Sequence, residues 1–213
     1  MAADGNADGT KLVLFWSGIE IDWVWDGGDT WNREHVWPQS QGWFTTSGAG
    51  SDLHHIRPVD SSVNSSHGNN PYGIVTNGKY CVTSSDNGSK TTQCKVGGSK
   101  FEPVDNRKGD TARIIFYLLT RYPNADSYPI TNVASSMSML LEWNASDPVD
   151  ASEIRRNEAV QGIQGNRNPF IDYPEFANMI WGTSNASVTR ELNHTVSIKL
   201  NKVAEQYQNV FYF

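Results

Sequence analysis

Basic residues are in short supply. Lys and Arg number 17 against 23 Asp and Glu, which gives a net charge of −6 at pH 7 over 213 residues and a pI near 5.3. A protein that binds nucleic acid chiefly by neutralising phosphates usually carries a basic excess, so this balance argues at first against such a partner. Long apolar runs are missing as well. The stretch Lys11–Trp16 is among the longest at about six residues, where a membrane-spanning helix needs roughly 20. No membrane partner is expected. Met1–Thr10 has neither the basic region nor the apolar region of a secretory signal, which leaves an intracellular protein or a mature form with a new Met. Internal repeats and low-complexity blocks are also absent.

Cysteine is nearly absent, and Cys81 and Cys94 are the only two. They enclose a polar stretch between two segments that read as strands, Tyr80–Thr83 and Gln93–Val96. A hairpin disulfide is the natural reading, stabilising by about 3 kcal/mol in the chain-entropy model, and it favours an oxidising compartment over the cytosol. Two unpaired thiols are the alternative.

Against these shortages stands enough apolar material, 38% hydrophobic and 11% aromatic residues, for a folded domain spanning 1–213. Strand and loop dominate the first half. Leu12–Trp16, Ile19–Trp25 and Trp31–Val36 are rich in β-branched and aromatic residues and are separated by Ser17-Gly18 and Asp26–Asp29. Six of the eight tryptophans (16, 23, 25, 31, 37, 43) lie here, either as core packing or as a platform for sugars or bases. The second half reads as helical. Asp110–Tyr122 has a capping Asp and a stop at Pro123, Asp147-Pro148 looks like a second helix start, and Pro174–Trp181 ends at Gly182. The role of the tail, 183–213, is unknown. Strands first and helices later give the fold class α+β.

Four of the five histidines, 35, 54, 55 and 67, fall within 33 residues, together with Glu34, Asp52, Arg57 and Asn64. The strings are Asn32-Arg-Glu-His-Val-Trp-Pro38, Asp52-Leu-His-His-Ile-Arg-Pro58 and Val63-Asn-Ser-Ser-His67. They read as a strand end, a second strand and a turn entering a short helix. Glu34 and Asn64 offer the carboxylate and amide oxygens that a hard cation wants. The histidines offer zinc its ligands too, but both cysteines lie outside the cluster and no His-x-x-x-His pair occurs. Glu34 and His35 are adjacent, so on a regular strand they face opposite sides, and one site can use both only if the strand ends or bulges there.

These strings, with the distant Gln164-Gly-Asn-Arg-Asn-Pro-Phe-Ile-Asp172 preceded by Arg156-Asn157, resemble the endonuclease I family of secreted and periplasmic bacterial nonspecific nucleases, members of the ββα-metal (HNH-like) superfamily. The resemblance covers about Asp22 to Pro174. It implies a ββα-metal core, His35 as general base, and Glu34 and Asn64 holding one divalent ion, Mg2+ with Mn2+ or Ca2+ as substitutes. Phosphodiester hydrolysis of DNA, and of RNA, would then leave 5′-phosphate and 3′-hydroxyl ends. The implied protein is a secreted or periplasmic monomer without sequence specificity. Arg57 is the candidate for a second positive charge on the scissile phosphate, since a guanidinium matches phosphate oxygens bidentately; Arg33 and Arg167 are the fallbacks. Asp52, His54 and His55 read as supporting hydrogen-bond partners, and His67, where the family pattern commonly has Arg, sits at the edge of the site. Asn64-Ser-Ser66 is also a glycosylation sequon, as are the sites at Asn87, Asn144, Asn185 and Asn193. A glycan on Asn64 would block a metal, which fits a bacterial source. A non-enzymatic binding module with structural histidines and a zinc phosphoesterase are the alternatives. If the site reading holds, arginines 33, 57 and 167 should gather near a cleft with the carboxylates elsewhere.

Overall fold

Short antiparallel pairings organise the first hundred residues of the computed structural model, which describes residues 2–182. The tail 183–213, with the fifth histidine and the sequons at Asn185 and Asn193, lies outside the described residues. Strand β1 (Leu12–Val13) pairs with β2 (Glu20–Ile21), and β3 (Trp31–His35) pairs with β4 (Ile56–Asp60). Both elements of the first pair are shorter than the sequence suggests, because Ser17-Gly18 and the Gly-rich turn after Trp25 interrupt the extended backbone. Helix α1 (Ser61–His67) follows β4 without a linker. Next comes a three-stranded sheet in the order β5 (Lys79–Val82), β6 (Thr91–Gly97), β7 (Lys100–Glu102). Five helices complete the described chain: α2 (Lys108–Arg121), α3 (Met137–Ser146), α4 (Ala151–Gln164), α5 (Pro169–Asp172) and α6 (Phe176–Trp181). The fold is α+β, and among the described residues no helix is long and apolar enough to cross a membrane.

The core is laid between the β3–β4–α1 unit and the helices. From the first half it takes Trp16, Val36, Trp37, Val59 and Val63; from α2 it takes Ile115, Phe116 and Leu118; Leu140 and Phe170 close it. Trp16 and Trp37 are fully buried, whereas Trp25 is 46% exposed, so the tryptophans divide between packing and surface. Arg113 on α2 is also fully buried. It forks onto Glu153 of α4 at 2.8 and 2.6 Å and reaches Asn144 of α3, tying three helices together. A buried charge of this kind persists only when every donor is met.

Three expectations need correction. Asp147 does not start a helix: it ends α3, its carboxylate accepting from the Gly109 N–H, and Asp150 caps α4 through a reciprocal box with Glu153. The box satisfies donors at both positions, which a start at Asp147-Pro148 would not. Asp110 does not cap α2 either: the helix begins at Lys108 and has no side-chain cap, leaving Asp110 inside its first turn. Cys81 and Cys94 are two buried thiols, with no bond between them in this structure. They sit beside the break in the β5–β6 ladder, within hydrogen-bonding reach of each other, with Thr92 Oγ1 2.8 Å from Cys94 Sγ.

Asp60 joins these parts. It is wholly buried at the β4–α1 junction, where Oδ1 accepts the N–H groups of Ser62 and Val63 and so caps α1. The same carboxylate accepts from the Ser84 N–H and from Asn87 Nδ2 at 2.6 Å, anchoring the β5–β6 connection. Asp60→Ala would remove the acceptor of the buried Val63 and Ser84 N–H groups, of the half-buried Ser62 N–H and of one of the two Asn87 Nδ2 bonds, so we expect a loss of about 3 kcal/mol. Urea unfolding measures it, and a change under about 1 kcal/mol would mean that water replaces the carboxylate.

Candidate active site

Helix α1 is fastened to β3 by two side-chain rungs. Alternation along β3 puts Asn32 and Glu34 on the face toward the helix, while Asn64 and His67, three apart, share one side of α1. Asn64 Nδ2 donates to Asn32 Oδ1, and His67 Nδ1 lies 2.9 Å from Glu34 Oε1. Glu34 is only 6% exposed. Burial pushes its carboxyl above the usual carboxylate range, against the pull of the His67 hydrogen bond and the charges of His67 and His35. His67 is enclosed by Trp16, Tyr72 and Phe101, and its Nε2 has no hydrogen-bond partner.

The rungs leave two oxygens without a hydrogen bond among the described residues, Glu34 Oε2 and Asn64 Oδ1. One carboxylate and one amide carbonyl are the hard donors that suit Mg2+, which keeps most of its waters. Among the described residues no three His, Cys, Asp or Glu side chains gather to hold a metal, so the set preferred by zinc is not assembled. The donor chemistry therefore fits a hard divalent ion.

His35 is the last residue of β3 and turns to the other side. Its Nε2 lies 2.8 Å from the Gly50 carbonyl oxygen, which can only accept. Nε2 therefore carries the proton and Nδ1 keeps its lone pair. The rings of His55 and Phe44 pack at 5.2 and 5.8 Å and fix the imidazole plane, while the residue stays partly exposed. The adjacency problem is eased by the strand ending here. His35 is still near enough for its charge to act on Glu34.

The other two histidines are held neutral inside the protein. His55 Nδ1 donates to the Ala49 carbonyl at 2.7 Å, and its Nε2 accepts the Trp37 N–H at 2.9 Å. His54 lies 3.1 Å from the Asn166 carbonyl and packs on Tyr117. Asp52 gathers the hydroxyls of Tyr117 and Tyr122, both at 2.6 Å, and Gln164 Nε2 at 2.9 Å. Gln164 also accepts the Leu53 N–H, so the Gln164–Asp172 string clamps the turn that precedes β4.

The arginines do not gather as expected. Arg57 is directly opposite Glu34 in the strand register, yet its guanidinium stacks on Phe15 and lies 3.6 Å from Asp4. Arg167 is committed to Asp172, Glu158 and Gln161. Arg33 is exposed, stands over the Trp25 ring and has no ion pair among the described residues. The sequence reading missed Asn32, Gly50 and Asp60. Alternation from Glu34 could have found Asn32, and the capping pattern before Ser61 could have found Asp60; a backbone carbonyl such as that of Gly50 leaves no trace in sequence.

Known proteins resemble this arrangement in sequence. The family model described as Endonuclease I matches residues 23–175. The extracellular ribonuclease of Bacillus amyloliquefaciens is 42% identical over 168 residues, 71% of this chain and 54% of the relative. Its namesake in Bacillus subtilis (strain 168) is 43% identical over the same shares. Endonuclease-1 of Buchnera aphidicola subsp. Baizongia pistaciae is 28% identical over 125 residues, 57% of this chain and 46% of the relative. The chain thus spans about half the length of the curated relatives it matches.

Burial pulls both His54 and His55 from 6.5 down to about 4. In the unfolded chain they take up protons below about pH 6.5, but in the folded protein only near 4. The unfolded state therefore binds more protons across this window, and stability falls as pH drops through it, by on the order of 3 kcal/mol per histidine at full titration. Urea midpoints at pH 7, 5.5 and 4.5 should decrease in that order, and a flat series would contradict the neutral, buried assignment.

Proposed function

The chain belongs to the endonuclease I family, and on that premise we propose that it is a secreted, metal-dependent endonuclease that hydrolyses phosphodiester bonds without sequence specificity. The observation that carries the reading is the pairing of a carbonyl-oriented His35 with the two unengaged oxygens of Glu34 and Asn64. Nucleic acid is the substrate class. RNA is included because two relatives bear the name extracellular ribonuclease, and DNA because the motifs resemble those of nonspecific nucleases.

In this reading Glu34 Oε2 and Asn64 Oδ1 hold one divalent ion. When bound, the ion supplies positive charge against the phosphate oxygens and the departing 3′-oxygen. His67 keeps the Glu34 carboxylate aimed, and Asn32 keeps the Asn64 carbonyl oxygen turned outward. His35 Nδ1 takes a proton from the attacking water, while the Gly50 carbonyl stabilises the imidazolium that forms by accepting from Nε2. Water attacks phosphorus in line with the 3′-oxygen, the P–O3′ bond breaks, and the ends left are 5′-phosphate and 3′-hydroxyl.

Supercoiled plasmid and a structured RNA, each incubated with Mg2+ and with EDTA at neutral pH, test this. Both should be cut in Mg2+ only, and survival of both in Mg2+ overturns the reading. His35→Ala should lower the rate by a hundredfold or more, in line with the roughly 10²–10⁴ that a general base contributes, and leave metal affinity unchanged. Asn64→Ala should weaken both.

A further inference from the structure

A cavity of about 230 Å³ lies beside β4, and four arginines, Arg57, Arg107, Arg155 and Arg156, line it with only two carboxylates, Asp4 and Glu20. On a chain with an acidic excess this local concentration of guanidinium groups needs a reason. The carboxylates do not neutralise it. Asp4 is shared by two arginines: Arg156 grips both its oxygens, Nε at 2.7 Å and Nη2 at 3.3 Å, and also donates to the Ile56 carbonyl, while Arg57 Nε stands 3.6 Å away, too far for a hydrogen bond. Glu20 accepts from Asn6. Asp110 and Asp150 approach Arg107 from outside the lining, at 3.2 and 3.7 Å, but Asp110 also serves Arg113 and Asp150 caps α4.

Three features suit the cavity to a tetrahedral anion. Arg57 Nε is buried without a hydrogen-bond partner. Arg57 and Arg107 approach one Phe15 ring, at 4.1 and 5.8 Å, so like charges are held together by an apolar floor. Arg155 is exposed, lines the cavity and has no partner among the described residues, so a guanidinium fork is available at the mouth. Burial and the charge of Arg156 pull Arg57 down to about 10, the stress that a bound anion would relieve. Guanidinium forks match phosphate oxygens bidentately. Arg57 is the cross-strand partner of Glu34, which sets the cavity one strand away from the candidate metal ligands.

We propose that this cavity is a phosphate subsite, in which Arg57, Arg107, Arg155 and Arg156 bind a phosphate group other than the one being cleaved. The group is either a backbone phosphate of the strand on the enzyme or free orthophosphate. The first source rests on the nuclease reading above; the second does not.

Thermal unfolding in orthophosphate against chloride of equal ionic strength tests the pocket without any turnover. Wild type should gain melting temperature saturably with orthophosphate. Arg155→Ala, a surface change expected to leave the melting temperature in chloride intact, should raise the apparent orthophosphate Kd about tenfold. With nucleic acid the same variant should raise KM severalfold at unchanged kcat and lower the slope of log KM on log salt by about one. Saturable stabilisation that Arg155→Ala weakens, without a KM effect, supports the subsite and assigns it to free phosphate; stabilisation equal in wild type and Arg155→Ala, with KM and salt slope unchanged, is the general salt effect of phosphate and overturns it. A KM and salt effect supports it and assigns it to the strand. Coincident melting curves in the two salts, together with unchanged KM and salt slope in Arg155→Ala, overturn it. If wild type cleaves no nucleic acid, the nuclease reading fails while the melting series still decides the pocket.

Discussion

Everything at the candidate site depends on how a seven-residue helix is held against a two-stranded ribbon. A helix as short as α1 does not persist on its own propensity. Its N-terminus is fixed by the buried carboxylate of Asp60, and its side by the rungs Asn32–Asn64 and Glu34–His67. The rungs bury one carboxylate and several amide and imidazole groups, which is unfavourable unless each is met by a partner. Glu34 Oε1, His67 Nδ1 and the Asn32–Asn64 amides are met in a way that leaves one oxygen on each side of the groove uncommitted, while His67 Nε2 stays unpartnered among aromatic rings. The contacts that hold the helix therefore also prepare the donor pair.

The four clustered histidines show how differently one residue type can be used within a small volume. His54 and His55 are buried and hydrogen-bonded as neutral rings. His67 is buried against a carboxylate and three aromatic rings. His35 alone combines partial exposure with an oriented ring and an open Nδ1. Burial separates these roles: desolvation holds His54 and His55 in the neutral form, whereas the His35 ring is the one of the four that water can reach.

Much of this was legible in the sequence, for identifiable reasons. Alternation in Trp31–His35 and the cap before Ser61 announce the ribbon and the helix, since both patterns are local. The start of α4 was displaced because Asp147 and Asp150 compete for the cap, and Glu153, three residues after Asp150, decides in its favour; α2 starts at Lys108 with no side-chain cap, so Asp110 falls inside its first turn. Helix α3 was not foreseen: its capping Ser136 lies in a Ser- and Met-rich stretch with little amphipathic contrast. The destinations of the arginines were illegible. Arg57, Arg113 and Arg156 find their carboxylates at separations of 53, 40 and 152 residues, which no local pattern encodes.

Those destinations also change the meaning of the acidic balance. Much of the positive charge is spent internally, in Arg113 on Glu153 and Arg167 on Asp172, so the net charge of −6 understates how little cationic surface is available. A phosphate approaching this chain meets favourable potential only where guanidinium groups outnumber nearby carboxylates, or where a divalent ion sits between Glu34 and Asn64. Arg33 over Trp25 and the Arg155 mouth of the arginine cavity are places of the first kind. Under the proposed reading, binding built from a few such points would be weak and blind to base sequence, because phosphates carry no sequence information and few counterions are released. That profile would favour turnover in the proposed nuclease, since a product held by few contacts leaves quickly.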